Sequence, residues 1–334
     1  MNSKPASKFM KNFQKINKQE YKNWLDKVQF KTFFHETDWH EFLEKEFKWL
    51  KFEYYLYKNK NNEVLLPMAI IGKKLISLPF CEYGGPLRLK EFDLNEFNRD
   101  VLTEFGDGIK IKIWPQVSEL SGDSSGIVST VSSHWLADLK FENEVWDSFR
   151  KTLKHEIKHA QERGLEIKAS KNPKEVRKFY DLYTANLKRK RTIPYPWSLV
   201  QFLCQSASSE LLLALYKGKI VAGSLFLNYS YFVHYFLSAS DYKHRNLGAS
   251  HLIIWDKIKR LIGQGKTLDL GASPMGSALE IFKRGWGGTE YPIYQIGIKR
   301  SEEGLRSSKL RYIWGLLPGF IIRKFSPFLI KYRL

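Results

Sequence analysis

With 334 residues, 43% of them hydrophobic and 15% aromatic, the chain is not a disordered one, and it has material for two domains of ordinary size. Its two cysteines, Cys81 and Cys204, exclude a disulfide framework and a thiolate metal cluster and suit a reducing compartment. A net charge of +19 points to polyanionic partners: RNA, DNA, anionic lipid or phosphate-bearing substrates.

The first residues, Met1 to Lys18, are polar and basic and lack the apolar core of a secretory signal. Asp38 to Phe47 reads as a helix. Phe52 to Tyr57, Val64 to Ile70 and Leu75 to Leu78 read as strands, joined by turns at Asn59 to Asn62 and Gly72 to Lys74. A loop at Glu82 to Pro86, a helix at Leu94 to Glu104 and a strand at Ile109 to Trp114 follow. Gly122 to Ser125 reads as a loop near a domain join at about 140.

Beyond the join comes a basic helix with Val145, Phe149, Leu153, Ile157 and Ala160 along one face. From Arg150 to Arg191 there are 14 Lys and Arg against 5 Asp and Glu. Leu165 to Ala169 is a predicted strand, and Pro173 to Lys188 and Trp197 to Ser206 are predicted helices. Leu211 to Tyr216, Ile220 to Leu227 and Tyr231 to Leu237 are predicted to form an antiparallel meander, because tight polar turns separate them. Gly248 to Ile262 then reads as a helix, Thr267 to Leu270 as a strand, Ser277 to Arg284 as a helix, and Ile293 to Lys299 as a last strand. No uninterrupted apolar run reaches the roughly 18 residues that a spanning helix needs.

This order of elements resembles the GNAT acetyltransferase fold, and the N-terminal half repeats part of it, as a duplication does. Arg245-Asn246-Leu247-Gly248-Ala249-Ser250 resembles the acetyltransferase junction in which small residues bring backbone N–H groups onto a pyrophosphate at a helix start, although Ser250 departs from the usual Gly or Ala. Ile281-Phe282-Lys283-Arg284-Gly285-Trp286-Gly287-Gly288, preceded by Asp269-Leu270-Gly271-Ala272-Ser273, resembles the FemAB group and the related BioF2-like acetyltransferase domains of exopolysaccharide systems. Phe80, Tyr83-Gly84-Gly85-Pro86 and the basic helix ending in Ala160 and Gly164 extend the likeness, which runs from about Phe33 to Pro318.

The resemblance implies a mixed α/β fold of two tandem GNAT-like domains with a cleft between them. Residues 1–140 form a degenerate domain, 141–300 a catalytic domain and 301–334 a basic amphipathic tail. It implies an N-acyltransferase or aminoacyltransferase acting on an amine of a cell-envelope precursor or sugar, in peptidoglycan or exopolysaccharide synthesis. The donor is acyl-CoA or aminoacyl-tRNA, with no tightly bound cofactor or metal, and DNA is not expected as a partner. Lys283 is implied to stabilise charge that develops during transfer; the competing role is a helix-end lysine. Asp241 and Asp269 are the candidate bases. Arg245, Gly248, Ala249, Ser250 and Phe282 are expected at the donor, and Tyr83, Gly84, Gly85, Arg191 and Tyr195 at the acceptor. The expected location is the cytoplasm, at or near the inner face of the membrane.

Three features carry rival readings. His155-Glu156-Ile157-Lys158-His159 matches the H-E-x-x-H zinc-peptidase pattern. Helix geometry turns both histidines away from the apolar face marked by Ile157, and no third ligand motif follows. Lys188-Arg189-Lys190-Arg191 either holds a phosphate or stabilises a helix end. The segment from Trp314 to Leu334 has four Lys and Arg and no acid among many aliphatic and aromatic residues. It either packs on the domain's own core or lies on a membrane surface. A non-catalytic module that binds RNA or anionic membrane through its charge is the alternative to an enzyme.

Overall fold

The computed structural model describes residues 12–60, 62–90, 93–113, 127–129, 131–229, 231–297 and 314–333. The start of the N-terminal leader, Trp114, the Gly122 to Ser125 loop and the end of the last predicted strand at Ile298 and Lys299 lie outside these residues. The chain divides into two compact units, Met1–Thr130 with Ile293–Lys299, and Val131–Pro292 with Arg300–Leu334.

The first unit contains β1 (Phe13–Ile16), α1 (Lys18–Leu25), α2 (Thr37–Glu46), β2 (Leu50–Lys58), β3 (Glu63–Ile71), β4 (Lys74–Ile76), β5 (Leu87–Arg88), α3 (Leu94–Phe105), β6 (Ile109–Lys112) and β7 (Ile127–Val128). The second contains β8 (Val131–Leu136), α4 (Glu142–Ser148), α5 (Lys151–Glu162), β9 (Glu166–Ala169), α6 (Pro173–Arg189), α7 (Trp197–Gln205), β10 (Ser209–Tyr216), β11 (Lys219–Asn228), β12 (Phe232–Ser240), α8 (Ala249–Leu261), β13 (Thr267–Pro274), α9 (Ala278–Arg284) and β14 (Thr289–Pro292). β15 (Gln295–Gly297) returns to the first unit, and α10 (Gly319–Leu329) belongs to the second.

Each unit has its own mixed sheet, and the two sheets share one plan. The first runs β1-β2-β3-β4-β6-β15-β7, with β5 also paired to β3; the second runs β9-β10-β11-β12-β13-β8-β14. In both, one parallel pair joins the fourth and fifth strands, β4 with β6 and β12 with β13. Such a pair needs a crossover, and α3 and α8 lie in the two connections. In both, the sixth strand comes from elsewhere in the chain. β8 enters the second sheet ahead of its other strands, and β15 enters the first sheet after all of them. The second unit therefore opens at Val131, not near 140, and the last predicted strand belongs to the first sheet. Short strands carry no sequence mark of which sheet they join.

Helices cover both faces of the second sheet. α6 lies so close on β11 that a Cβ at Gly223 would meet the Phe179 ring at 2.7 Å. α5 and α8 pack on the other face through Leu153, Ile157, Ile253, Ile254 and Ile258 over Leu212, Ala222 and Phe226. The single helix expected from Val145 to Ala160 is two. It breaks at Phe149 and Arg150, where both residues are extended and the Arg150 N–H donates to the Gly285 carbonyl at 3.0 Å. Pro327 lies inside α10. It has no N–H for the Arg323 carbonyl, and the Ser326 hydroxyl donates there instead at 3.1 Å.

Candidate active site

The site grows from the parallel pair of the second sheet. β12 and β13 are in register only over Phe232↔Thr267, Val233↔Leu268 and His234↔Asp269, yet β12 runs on to Ser240 and β13 to Pro274. Past His234 and Asp269 the two strands no longer pair. Asp241 ends β12 and caps the 3-10 turn Tyr242–Leu247, accepting from the Lys243 N–H at 3.0 Å and lying 2.9 Å from His244 Nδ1. Partial burial works to raise its pKa, but the Lys243 amide and the His244 ring outweigh it and hold the carboxyl below its usual value.

Gly248 follows at φ 71° and starts α8. A Cβ there would lie 2.9 Å from the Glu156 carbonyl oxygen and 3.2 Å from Ala160 Cβ, so glycine is required both for the left-handed backbone and for the approach of α5. The first turn of α8 exposes N–H groups that have no acceptor within the helix, at the positive end of its dipole.

Beside this helix start is a cavity of about 640 Å³. Arg150, His155, Glu156, His159 and Arg163 line it from α5 and its ends, Arg245, Asn246 and His251 from the junction and α8, and Phe282 and Gly285 from the end of α9. Arg163 donates to the Asn246 carbonyl and so ties α5 to the junction. The Arg245 guanidinium lies 4.3 Å from the Tyr242 ring centroid, and Arg189 lies over the same ring at 4.0 Å. His251 packs 5.3 Å from the Phe282 ring. Burial lowers its pKa, with Glu156 opposing, and its Nδ1 is buried without a hydrogen-bond partner. Apart from Glu156, the polar side chains around the cavity are cationic, neutral donors or titratable to cations. That composition suits an anion.

The H-E-x-x-H residues take part in this wall. His155 and Glu156 are exposed, His159 is partly buried, and the two imidazoles lie 4.1 Å apart between centroids. Among the described residues, no three His, Cys, Asp or Glu side chains gather as a metal site would require.

Lys283 does not line the cavity. It is 3% exposed, and its Nζ donates to the carbonyls of Gly271 at 2.6 Å and Ala272 at 2.9 Å, where β13 bulges. Asp269 is fully buried. Its Oδ1 accepts from the Ser133 hydroxyl at 2.6 Å and the Gly271 N–H at 2.7 Å, and its Oδ2 lies 4.0 Å from His234 Nε2. Asp269 and Lys283 thus brace the bulge from its two sides.

Of the residues expected at the donor, Arg245 and Phe282 line the cavity, and Gly248, Ala249 and Ser250 lie in the chain between its lining residues Asn246 and His251. The acceptor residues do not join them there. Arg191 is exposed at the end of α6, and its side chain lies against Gly315. Tyr195 is buried, stacked on Phe236 at 6.1 Å, with its N–H donating to the Tyr183 hydroxyl at 3.2 Å. Tyr83, Gly84 and Gly85 lie in the interior of the first unit. A Cβ at Gly84 would meet Leu78 Cβ at 2.5 Å, and the N–H groups of Gly84 and Gly85 both donate to the Lys112 carbonyl. Sequence reasoning missed Arg150, Arg163 and His251 as individual site residues. His251, in the turn after Gly248, was within reach of the motif; the two arginines were visible only as part of a basic run.

Residues 147–284 match the family model described as an acetyltransferase (GNAT) domain. No curated protein matches the chain. Among solved structures, FemX is similar over 86% of this chain and 97% of its own, at 12% identity and a TM-score of 0.59. A conserved protein of unknown function from Bacteroides thetaiotaomicron is similar over 86% and 99%, at 11% identity and a TM-score of 0.55. L-PGS from Bacillus licheniformis is similar over 91% and 99%, at 13% identity and a TM-score of 0.53. The chain thus has a mixed α/β fold of two separate sheets similar to that of FemX, and residues 147–284 match a GNAT acetyltransferase domain.

Proposed function

We propose that this protein transfers an acyl or aminoacyl group from a polyanionic donor to an amine. The observation that carries the reading is the basic cavity at the start of α8, beside strands that part after His234 and Asp269. Phosphates of CoA or of an aminoacyl-tRNA bind there through Arg150, Arg163, Arg245 and the N–H groups of the helix start. The acceptor amine belongs to a cell-envelope precursor or a sugar, with the exposed Arg191 as a candidate for orienting it.

The chemistry is an acyl substitution. The amine nitrogen bonds to the carbonyl carbon of a thioester or ester, a tetrahedral oxyanion forms, and the C–S or C–O bond to the carrier breaks. The nitrogen becomes more acidic once bonded to carbon, and a nearby carboxylate can take its proton and pass it to the departing thiolate or alkoxide. Asp241, partly exposed after β12, fits that role better than the fully buried Asp269. Lys283 is a positioning residue in this scheme. Its buried ammonium polarises the Gly271 and Ala272 peptides and puts fixed positive charge behind the bulge, in keeping with charge stabilisation during transfer.

The test is direct. Purified protein is mixed with radiolabelled acetyl-CoA or with charged tRNA and an amine acceptor, and thermal stabilisation by each donor is measured in parallel. Stabilisation by one donor, with label transferred to the acceptor and lost in Asp241→Asn, supports the reading. Donor binding without transfer to any amine makes the protein a binding module.

A further inference from the structure

The C-terminal helix has two apolar faces, and only one of them is used. Ile322, Ser326 and Ile330 follow at steps of four and are buried, and the Arg323 guanidinium meets Asp181 of α6 at 3.2 Å. That face fixes the orientation of α10 on the second unit. The opposite face carries Phe320 at 64% exposed, Phe325 at 45% and Phe328 at 68%, with Leu316 at 66% just ahead of the helix. Lys324 lies among these rings, and Lys331 and Tyr332 follow, all exposed. Residues 314–333 contain four cations and no acid.

We infer that α10 docks this protein on an anionic membrane surface, inserting Phe320, Phe325 and Phe328 to the level of the acyl chains while Lys324 and Lys331 pair with lipid phosphates. The helix has 11 residues, too few to cross a bilayer, and among the described residues no helix is long and apolar enough to span one. Its geometry fits a helix lying in the interface, where rings enter the boundary and long cationic side chains reach back to headgroups. Charge selects the occupant. A second copy of this face would bring Lys324 and Lys331 against the same two lysines with no acid in residues 314–333 to pair them, whereas an anionic bilayer complements them. The inference does not depend on transferase activity.

The experiment is flotation of the full-length protein with vesicles of phosphatidylcholine alone and of phosphatidylcholine with phosphatidylglycerol. Binding to the anionic vesicles is expected to exceed binding to the neutral ones by tenfold or more, on the order of what two lysines at the surface supply. F320S/F328S should reduce it by roughly a hundredfold, since two rings leave the acyl boundary. Lys324→Glu should cost about tenfold. Phe141→Ser, which removes an exposed phenylalanine outside the tail, should change nothing. Hydrogen exchange of the wild-type chain gives a second reading that needs no variant: anionic vesicles should protect the amides of α10. The inference is overturned by equal binding to neutral and anionic vesicles, by binding that survives F320S/F328S, or by vesicles that leave α10 exchange unchanged. A wild-type dimer that F320S/F328S dissociates, without vesicle binding, would overturn it in favour of a second copy.

Discussion

The two parallel strand pairs begin alike and end differently. In the first sheet, β4 and β6 pair at Leu75↔Ile109 and Ile76↔Lys110, and the chain then closes the gap beyond them. Ser77 N–H donates to the Lys110 carbonyl, Gly84 and Gly85 N–H to the Lys112 carbonyl, and Gly85 bridges Ile113. Leu78, Phe80, Cys81 and Tyr83 are buried around that closure. In the second sheet, pairing stops at His234↔Asp269, and the chain leaves β12 through a capped 3-10 turn to the start of α8. One plan therefore yields a sealed junction and an open one. A sealed junction satisfies its backbone groups internally and offers little to a ligand, whereas an open one leaves strand edges and a helix start to be satisfied by something else.

The largest expected contrast is the response to acid. His35 and His40 of the first unit are fully buried, and burial lowers both pKa values to about 3. Below about pH 6.5 the unfolded chain takes up two protons that the folded unit refuses, so stability falls as pH drops toward 3; above that pH the two sites contribute nothing. The loss amounts to about 4 kcal/mol at pH 5. Thermal melts of the full chain between pH 7 and pH 5 should show the first unit unfolding earlier, by hydrogen exchange of β2 and β3 against β10 and β11. A second unit that loosens first would reverse the comparison.

Lys283→Met keeps the length and apolar stem of the side chain but removes the charge behind the open junction. Turnover should fall by roughly a hundredfold, with the donor KM little changed. Lys283→Arg should rescue poorly, because a planar guanidinium cannot replace a point charge held by the Gly271 and Ala272 carbonyls. A normal kcat with a lowered melting temperature would make Lys283 a structural brace only.

The basic wall gives a smaller effect of a different kind. Arg150→Ala and Arg245→Ala should each weaken donor binding by about tenfold at low salt and flatten its salt dependence. Donor affinity that is insensitive to salt in the wild-type protein would show that the cationic surface is incidental.

Glycine substitutions give the finest comparison. Gly84→Ala should destabilise the first unit by about 1–3 kcal/mol, through contact with Leu78, and leave donor affinity unaltered. Gly248→Ala should cost a similar amount, from its left-handed backbone and the Glu156 carbonyl, and should also weaken donor binding because the helix start must shift. Calorimetry with and without donor separates the two. Loss of donor binding in Gly84→Ala would mean that the sealed junction has a part in the site.

Much of this was legible in the chain itself, because its causes are local. The β10-β11-β12 meander follows from three apolar runs parted by Lys217-Gly218-Lys219 and Asn228-Tyr229-Ser230, and the start of α8 from a glycine before an amphipathic run. Arg245 and Phe282 were singled out for strings of neighbours, and both line the cavity. The break at Arg150 was not legible, since its N–H is claimed by Gly285, far along the chain.

What the sequence by itself determined was the β10-β11-β12 meander, most of the helices around it and the basic character of the wall, all set by periodicity and charge over short spans. Only the tertiary structure decided which sheet received β8 and β15, that Lys283 and Asp269 are interior braces, and that one parallel pair is sealed and the other open. Each of these turns on groups that the fold brings together: β8 and β15 pair with strands more than a hundred residues away, and Lys283 and Gly84 reach carbonyls on other elements, so the side-chain pattern of a single segment carries no record of that choice.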